Sequence, residues 1–203
     1  MKKRGVHLSM MAVAMVLAVV GIWMLQLHRF PLEKTALERD VAEQFINSGA
    51  MDKAELQVEE INEIGNVATI LFSVHDGEAP SAASRLGLAF YGRNRLGGTY
   101  RFESMGWGSN TFDSYLFEAS AGSKKGTYFV VYGKTPSVSK EFERFKVTFR
   151  GEVFDGNMAK EEYFVDIFPV ANELIGDGVG EITFVTKDLY TESFPLPVTS
   201  TIK

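Results

Sequence analysis

A cluster of arginines gives this sequence its clearest potential for binding chemistry. Residues 79–102 contain no lysine, aspartate or glutamate but four arginines, Arg85, Arg93, Arg95 and Arg101. The guanidinium group stays charged, forms planar bidentate contacts with carboxylates and phosphates, and stacks on aromatic rings. The composition of this stretch therefore predicts a surface that binds an anionic group.

Three aromatic residues, Tyr91, Tyr100 and Trp107, lie among or beside these arginines. Arginine and aromatic side chains are both enriched at protein interfaces. We therefore take the four arginines and the three aromatic residues together as the candidate contact surface. The alternative is that the arginines pair with carboxylates of the same domain across neighbouring strands, and the sequence leaves both interpretations open.

The other titratable residues do not form the pattern of a catalytic or metal site. His75 is the only histidine after residue 28, and neither H-E-x-x-H nor G-x-S-x-G accompanies it. A chain without cysteine has no thiolate nucleophile and no cysteine-ligated metal. We predict no catalytic residues, no metal and no cofactor. An enzyme that acts on cell-envelope polymer through a pair of carboxylates is the alternative from a different class.

The charge balance differs between the start of the chain and the rest. The sequence has 21 basic and 26 acidic residues, and four of the basic residues but none of the acidic ones precede residue 30. Residues 30–203 therefore have 17 basic against 26 acidic residues and a formal charge of −9. Because lysine and arginine supply much of the affinity for nucleic acids, this acidic segment is not expected to bind them.

An uncharged apolar segment at residues 8–27 predicts a transmembrane helix. At a helical rise of about 1.5 Å per residue it would span roughly 30 Å, the thickness of the hydrocarbon core of a bilayer. Lys2, Lys3 and Arg4 precede it as in a secretory signal, but no suitable cleavage site follows it. We therefore predict an uncleaved signal anchor, preceded by a short basic tail at residues 1–7.

The orientation of this anchor does not follow from a charge difference, because three basic residues flank it closely on each side. The first three are concentrated beside the α-amino group, and a long following domain is translocated largely regardless of its charge. We expect the N-terminus in the cytoplasm and the C-terminal domain outside a single-pass cell membrane protein. The absence of cysteine is typical of a Gram-positive exterior, where disulfides are uncommon.

The opening Lys2-Lys3-Arg4-Gly5 is also similar to the leader of type IV pilin-like proteins, which are cut after the glycine. That resemblance implies a subunit of a pilin-like assembly. The chain departs from the pattern at Met10, where those proteins usually have glutamate. Pilin-like assembly is therefore the less favoured alternative.

Beyond the anchor, the periodicity changes from helical to extended. Leu37, Val41 and Phe45 predict an amphipathic helix within residues 30–49. From residue 55 to 203, seven to nine short apolar stretches separated by turn residues predict an antiparallel β-sandwich or barrel-like domain. The pair Asp155-Gly156 predicts a hairpin turn, because type I′ turns favour this sequence.

The whole arrangement resembles the signal-anchored, single-pass exported proteins of Gram-positive bacteria, a loosely defined group. The features that carry the resemblance are the basic tail, the anchor, the helix PLEKTALERDVAEQF and the segments ATILFSV, GGTYRF, YFVVYGKTP and EEYFVDIF. The group implies no activity and no catalytic residues. We expect a membrane-anchored extracytoplasmic β domain that binds or senses at the cell surface, with an anionic envelope ligand or a protein as its partner.

Overall fold

The structure of the chain is a computed structural model. It describes residues 33–49, 55–75, 85–93, 99–108, 111–121, 124–135, 142–158, 163–171 and 176–200, together with Met15 and Leu174. The predicted basic tail and, apart from Met15, the predicted anchor at residues 8–27 lie outside this part of the chain. No helix among the described residues is long and apolar enough to span a membrane.

One long helix and eleven strands make up the part of the chain that the structure describes. They are α1 Lys34–Asn47, β1 Glu55–Ile64, β2 Val67–His75, β3 Arg85–Arg93, β4 Tyr100–Gly108, β5 Phe112–Ala121, β6 Lys124–Lys134, β7 Phe142–Phe149, β8 Glu152–Asn157, β9 Tyr163–Val170, β10 Gly178–Thr186 and β11 Thr191–Ser200. The prediction of a mainly β chain is therefore confirmed, and α1 falls within the segment 30–49 that we predicted to be helical.

The first four strands form an antiparallel sheet in the order β1-β2-β3-β4, which we call the helix-bearing sheet. The helix α1 packs on one face of this sheet. Its apolar stripe, Leu37, Val41 and Phe45, is completely buried against β1 to β4. The helical spacing of these residues places them on one side of α1, so the helix and the sheet share one core.

The other seven strands form a second sheet in the order β8-β7-β10-β11-β5-β6-β9. Neighbours are antiparallel except for the short parallel pairing of β11 with β5. This sheet curls until its end strands β8 and β9 meet, where the rings of Phe154 and Phe168 lie 5.4 Å apart. We call it the barrel-like sheet and the line between β8 and β9 the seam.

Phenylalanine fills the interior of the barrel-like sheet. Its buried members are Phe112, Phe129, Phe142, Phe145, Phe149, Phe164 and Phe184. A separate cluster joins the two sheets, where Leu88 and Phe90 of the helix-bearing sheet contact Tyr115 and Phe117 of β5. The order of layers is therefore helix, helix-bearing sheet and barrel-like sheet.

The predicted turn at Asp155-Gly156 is wrong, because both residues lie inside β8. The chain turns instead at Arg150 and Gly151, whose φ angles are +51° and +85°. Positive φ at both central residues is the requirement of a type I′ turn. Gly156 serves a packing purpose, since a side chain there would collide with the ring of Phe145.

The strand β11 was not among the predicted strands, and it contains Pro195 and Pro197. Proline is tolerated where its missing N–H is not needed by a neighbouring strand. The carbonyl of Pro197 accepts a hydrogen bond from the Ser114 hydroxyl of β5 at 2.7 Å. Because the nitrogen and the carbonyl of one strand residue point to the same side, the nitrogen of Pro197 also faces β5, and the ladder with β10 does not need an N–H there. The prolines therefore leave the pairing of β10 with β11 intact.

Candidate binding surface

Two of the predicted arginines lie at the same end of the helix-bearing sheet, on its opposite faces. Arg93 is the last residue of β3 and lies opposite Tyr100, while Arg101 of β4 lies opposite Gly92. Both arginines are exposed. Since successive side chains of a strand point to opposite faces, Arg93 lies on the helix side of the sheet and Arg101 on the other. We call this pair the arginine end.

The other two predicted arginines are not joined to this pair. Arg85 begins β3, and since the strand has nine residues its ends lie roughly 26 Å apart at about 3.3 Å per residue. The structure therefore separates Arg85 from Arg93. Arg95 lies outside the described residues.

The three aromatic residues of the predicted surface contribute to the core between α1 and the sheet. Tyr91 is 0% exposed and Tyr100 is 3% exposed. The partly buried ring of Trp107 packs edge-on against Phe45 of α1 with 5.0 Å between the ring centroids. Among the described members of the predicted surface, only Arg93 and Arg101 are exposed.

Tyr91 is held by a partner that the sequence analysis did not identify. Its hydroxyl donates a hydrogen bond of 2.7 Å to Oδ2 of Asp40, a residue of α1 that is only 4% exposed. Burial, followed by the bond to this carboxylate, keeps the pKa of Tyr91 far above its ordinary value. Tyr91 thus remains a donor to Asp40. The signal in the sequence was that Asp40 interrupts the apolar stripe between Leu37 and Val41.

Tyr100 has a second acidic partner and lies beside Arg93. Its hydroxyl donates a hydrogen bond of 2.5 Å to Oε2 of Glu63 in β1. Burial and Glu63 raise the pKa of Tyr100 to about 12, while the positive charge of Arg93 acts in the opposite direction. Because β1 and β4 are the two edges of the helix-bearing sheet, this bond requires a curled sheet whose concave face holds α1.

Carboxylates lie near the arginine end: that of Glu103 lies over Gly92, the residue opposite Arg101, and Glu63 bonds Tyr100, which lies opposite Arg93. Among the described residues, neither Arg93 nor Arg101 forms a salt bridge. The barrel-like sheet, in contrast, contains the ion pairs of Lys125 with Glu118 and of Lys146 with Asp155. The arrangement leaves two exposed guanidinium groups at one end of a sheet, in a domain of net negative charge.

The described residues give the catalytic alternative neither a described histidine side chain nor a cluster of metal ligands. His75 ends β2, and its side chain lies outside what the structure describes. The described residues contain no group of three or more potential metal ligands. The candidate site is therefore the arginine end, with Tyr100 and Glu63 beneath it.

Comparisons with known proteins add no assignment. No protein-family model matches the chain, and neither a curated protein nor a solved structure shows significant similarity to it.

Proposed function

We propose that the protein is a membrane-anchored extracytoplasmic binding module whose arginine end contacts an anionic cell-envelope ligand. The observation that carries this proposal is the exposure of Arg93 and Arg101 without a salt bridge among the described residues. The sequence of residues 8–27 supports the anchor.

Charge contrast is the physical basis of selectivity in this proposal. Residues 30–203 carry 26 acidic against 17 basic residues, so the net charge of the domain repels an anion and a local cationic region is needed to attract one. The bond of Tyr100 to Glu63 fixes the strand end that bears Arg101, and Arg93 lies directly opposite Tyr100. A rigid position lowers the entropy lost on binding.

The test compares binding of the full chain, reconstituted in nanodiscs of neutral lipid, to defined polymers. The probes are polyphosphate, polyglutamate and neutral dextran of similar length. The double variant Arg93→Gln/Arg101→Gln should weaken binding to an anionic probe by about tenfold or more, since a charge-assisted hydrogen bond contributes about 1.5–3 kcal/mol. Higher salt should weaken binding of the natural protein, and dextran should not bind.

The matched control removes the same net charge elsewhere. Arg144 and Lys187 are exposed residues of β7 and of the turn after β10. The double variant Arg144→Gln/Lys187→Gln should change the affinity less than about twofold if only the arginine end binds. Equal losses in the two double variants would mean a nonspecific charge effect and would contradict the proposal.

A further inference from the structure

A carboxylate faces the phenylalanine interior of the barrel-like sheet. Asp166 lies opposite Val131 in the pairing of β9 with β6, and Val131 is a fully buried member of the interior cluster. The residues two positions before and after it, Phe164 and Phe168, also belong to or pack on this cluster. The alternation of the strand therefore directs the side chain of Asp166 inwards.

One oxygen of this carboxylate lacks a partner. Oδ2 of Asp166 is buried and has no hydrogen bond within the described part of the chain. Nearby, Gly156 of β8 has no side chain, and a methyl group there would meet both the ring of Phe145 and Oδ2 of Asp166. The carboxyl group thus occupies space that a glycine leaves free, in contact with an apolar surface.

Asp166 also lies at the seam, where the two described end strands of the barrel-like sheet do not pair through their backbones. The strands β8 and β9 are the first and last members of the sheet order. The backbone N–H of Asn157, the final residue of β8, donates a hydrogen bond to the carboxyl group of Asp166. This bond crosses the seam, which the contact of Phe154 with Phe168 also closes.

Of the groups around Asp166, only the N–H of Asn157 favours its charged form among the described residues. From β6 and β7 it meets the apolar Val131 and Phe145, and from β8 it meets Gly156 and the N–H of Asn157. The charged group that acts on it is Glu60 of β1, which is also an acid. Burial raises the pKa of Asp166 to about 6, the bond from Asn157 partly opposes this, and Glu60 adds to it.

We propose that Asp166 is a proton-controlled switch of the seam: as a neutral acid it holds β8 against β9, and its ionisation loosens the contact between them. A neutral carboxylic acid is compatible with the phenylalanine interior, whereas a carboxylate without a second partner is costly there. Movement of the end of β8 would give the charged group access to water. This regulation does not depend on the proposed ligand of the arginine end.

The sign of the effect follows from proton linkage. The pKa of Asp166 is about 6 in the folded chain, above the value of 3.8 for an unperturbed aspartate. Between about pH 4 and pH 6 the folded chain therefore binds more protons than the unfolded chain. The stabilising contribution of Asp166 is fully present below about pH 4 and is lost as the pH rises through about 6.

The test is hydrogen exchange of the full chain in detergent micelles, followed by mass spectrometry from about pH 5 to about pH 7.5 and corrected for intrinsic rates. In the natural protein, protection of peptides from β8 should fall by about tenfold as the pH rises. This is less than the full effect of the pKa shift, since each pKa unit corresponds to about a factor of ten. The variant Asp166→Asn keeps an oxygen that can accept from the Asn157 N–H but cannot ionise. Its protection should stay high at every pH.

Two further variants sharpen the result. Asp155→Asn changes an exposed acid of the same strand β8 and should follow the natural protein. Glu60→Gln removes the neighbouring negative charge and should move the midpoint of the transition to lower pH. The proposal is overturned if the natural protein and Asp166→Asn show the same pH dependence, or if carboxyl NMR of the natural protein places the titration of Asp166 below about pH 5.

Discussion

Tyr91 and Asp40 stand 51 positions apart in the chain and form a buried hydrogen bond between β3 and α1. The bond explains why a carboxylate is tolerated in the stripe of α1 that packs on the sheet. Removal of only one partner leaves the other buried without its bond, which costs more than the loss of both together.

We therefore expect Tyr91→Phe to lower the free energy of unfolding by about 1–3 kcal/mol. The double variant Tyr91→Phe/Asp40→Leu should recover part of that loss, because neither polar group then remains. Urea unfolding of the chain in detergent micelles, with Trp23 replaced by Phe in every variant so that the fluorescence reports Trp107, measures both changes.

Tyr128 provides the matched control for this prediction. It is a partly buried tyrosine that packs on the cluster between the two sheets, and its hydroxyl forms no hydrogen bond among the described residues. Tyr128→Phe should change stability by less than about 0.5 kcal/mol. A loss in Tyr91→Phe no larger than this control would show that the bond to Asp40 does not stabilise the docking of α1.

Glycine has a role in the strands themselves as well as in the turns. In β3 a side chain at Gly87 would collide with the ring of Phe72, and in β4 one at Gly106 would collide with Tyr115 of the other sheet. The glycine-rich stretch thus allows large rings to approach the backbone. This packing requirement appears only when neighbouring strands are in place.

Gly156 of β8 allows this packing requirement of strand glycines to be tested at one position. Gly156→Ala should destabilise the protein by about 1–3 kcal/mol, because the added methyl group overlaps the ring of Phe145 and Oδ2 of Asp166. The control is Gly126→Ala in β6, where the nearest atom is 3.4 Å away, an ordinary contact.

Thermal unfolding should show a lower melting temperature for Gly156→Ala but not for Gly126→Ala. Alanine restricts the unfolded chain more than glycine does, so Gly126→Ala should be neutral or slightly stabilising. Equal destabilisation of both variants would mean that the strands reject any change at glycine and that the ring of Phe145 is not the cause.

At the scale of the whole molecule, the proposed anchor and orientation make a prediction of their own. External protease should degrade residues 30–203 on intact cells, because a long domain after a signal anchor is expected to be translocated. Immunoblotting with antibodies against the β domain, before and after permeabilisation, measures this. Protection of the domain until the cells are permeabilised would reverse the predicted orientation.

The intact mass of the same membrane fraction distinguishes the alternatives for the N-terminus. An uncleaved signal anchor keeps the basic tail at residues 1–7, whereas pilin-like processing would remove the residues up to Gly5. A mass that corresponds to cleavage after Gly5 would favour the pilin-like alternative over the permanent anchor.

The sequence by itself determined several local elements of this protein, although not β11 or the turn before β8. Alternation in the segment RFKVTFR predicted β7, and the spacing of Leu37, Val41 and Phe45 predicted α1. Such patterns are readable because a strand or helix that buries one face must repeat its apolar residues with the period of its backbone. The choice between sandwich and barrel stayed open, since both need the same alternation.

Only the tertiary structure decided which residues from distant parts of the chain meet. It moved the hairpin turn from Asp155-Gly156 to Arg150-Gly151, buried Tyr91 and Tyr100 against acidic partners, and left Arg93 and Arg101 exposed. It also directed Asp166 into the interior at the seam. The physical reason is that sheet order and curvature depend on packing between strands far apart in sequence, and no local pattern of charge or hydropathy specifies these contacts.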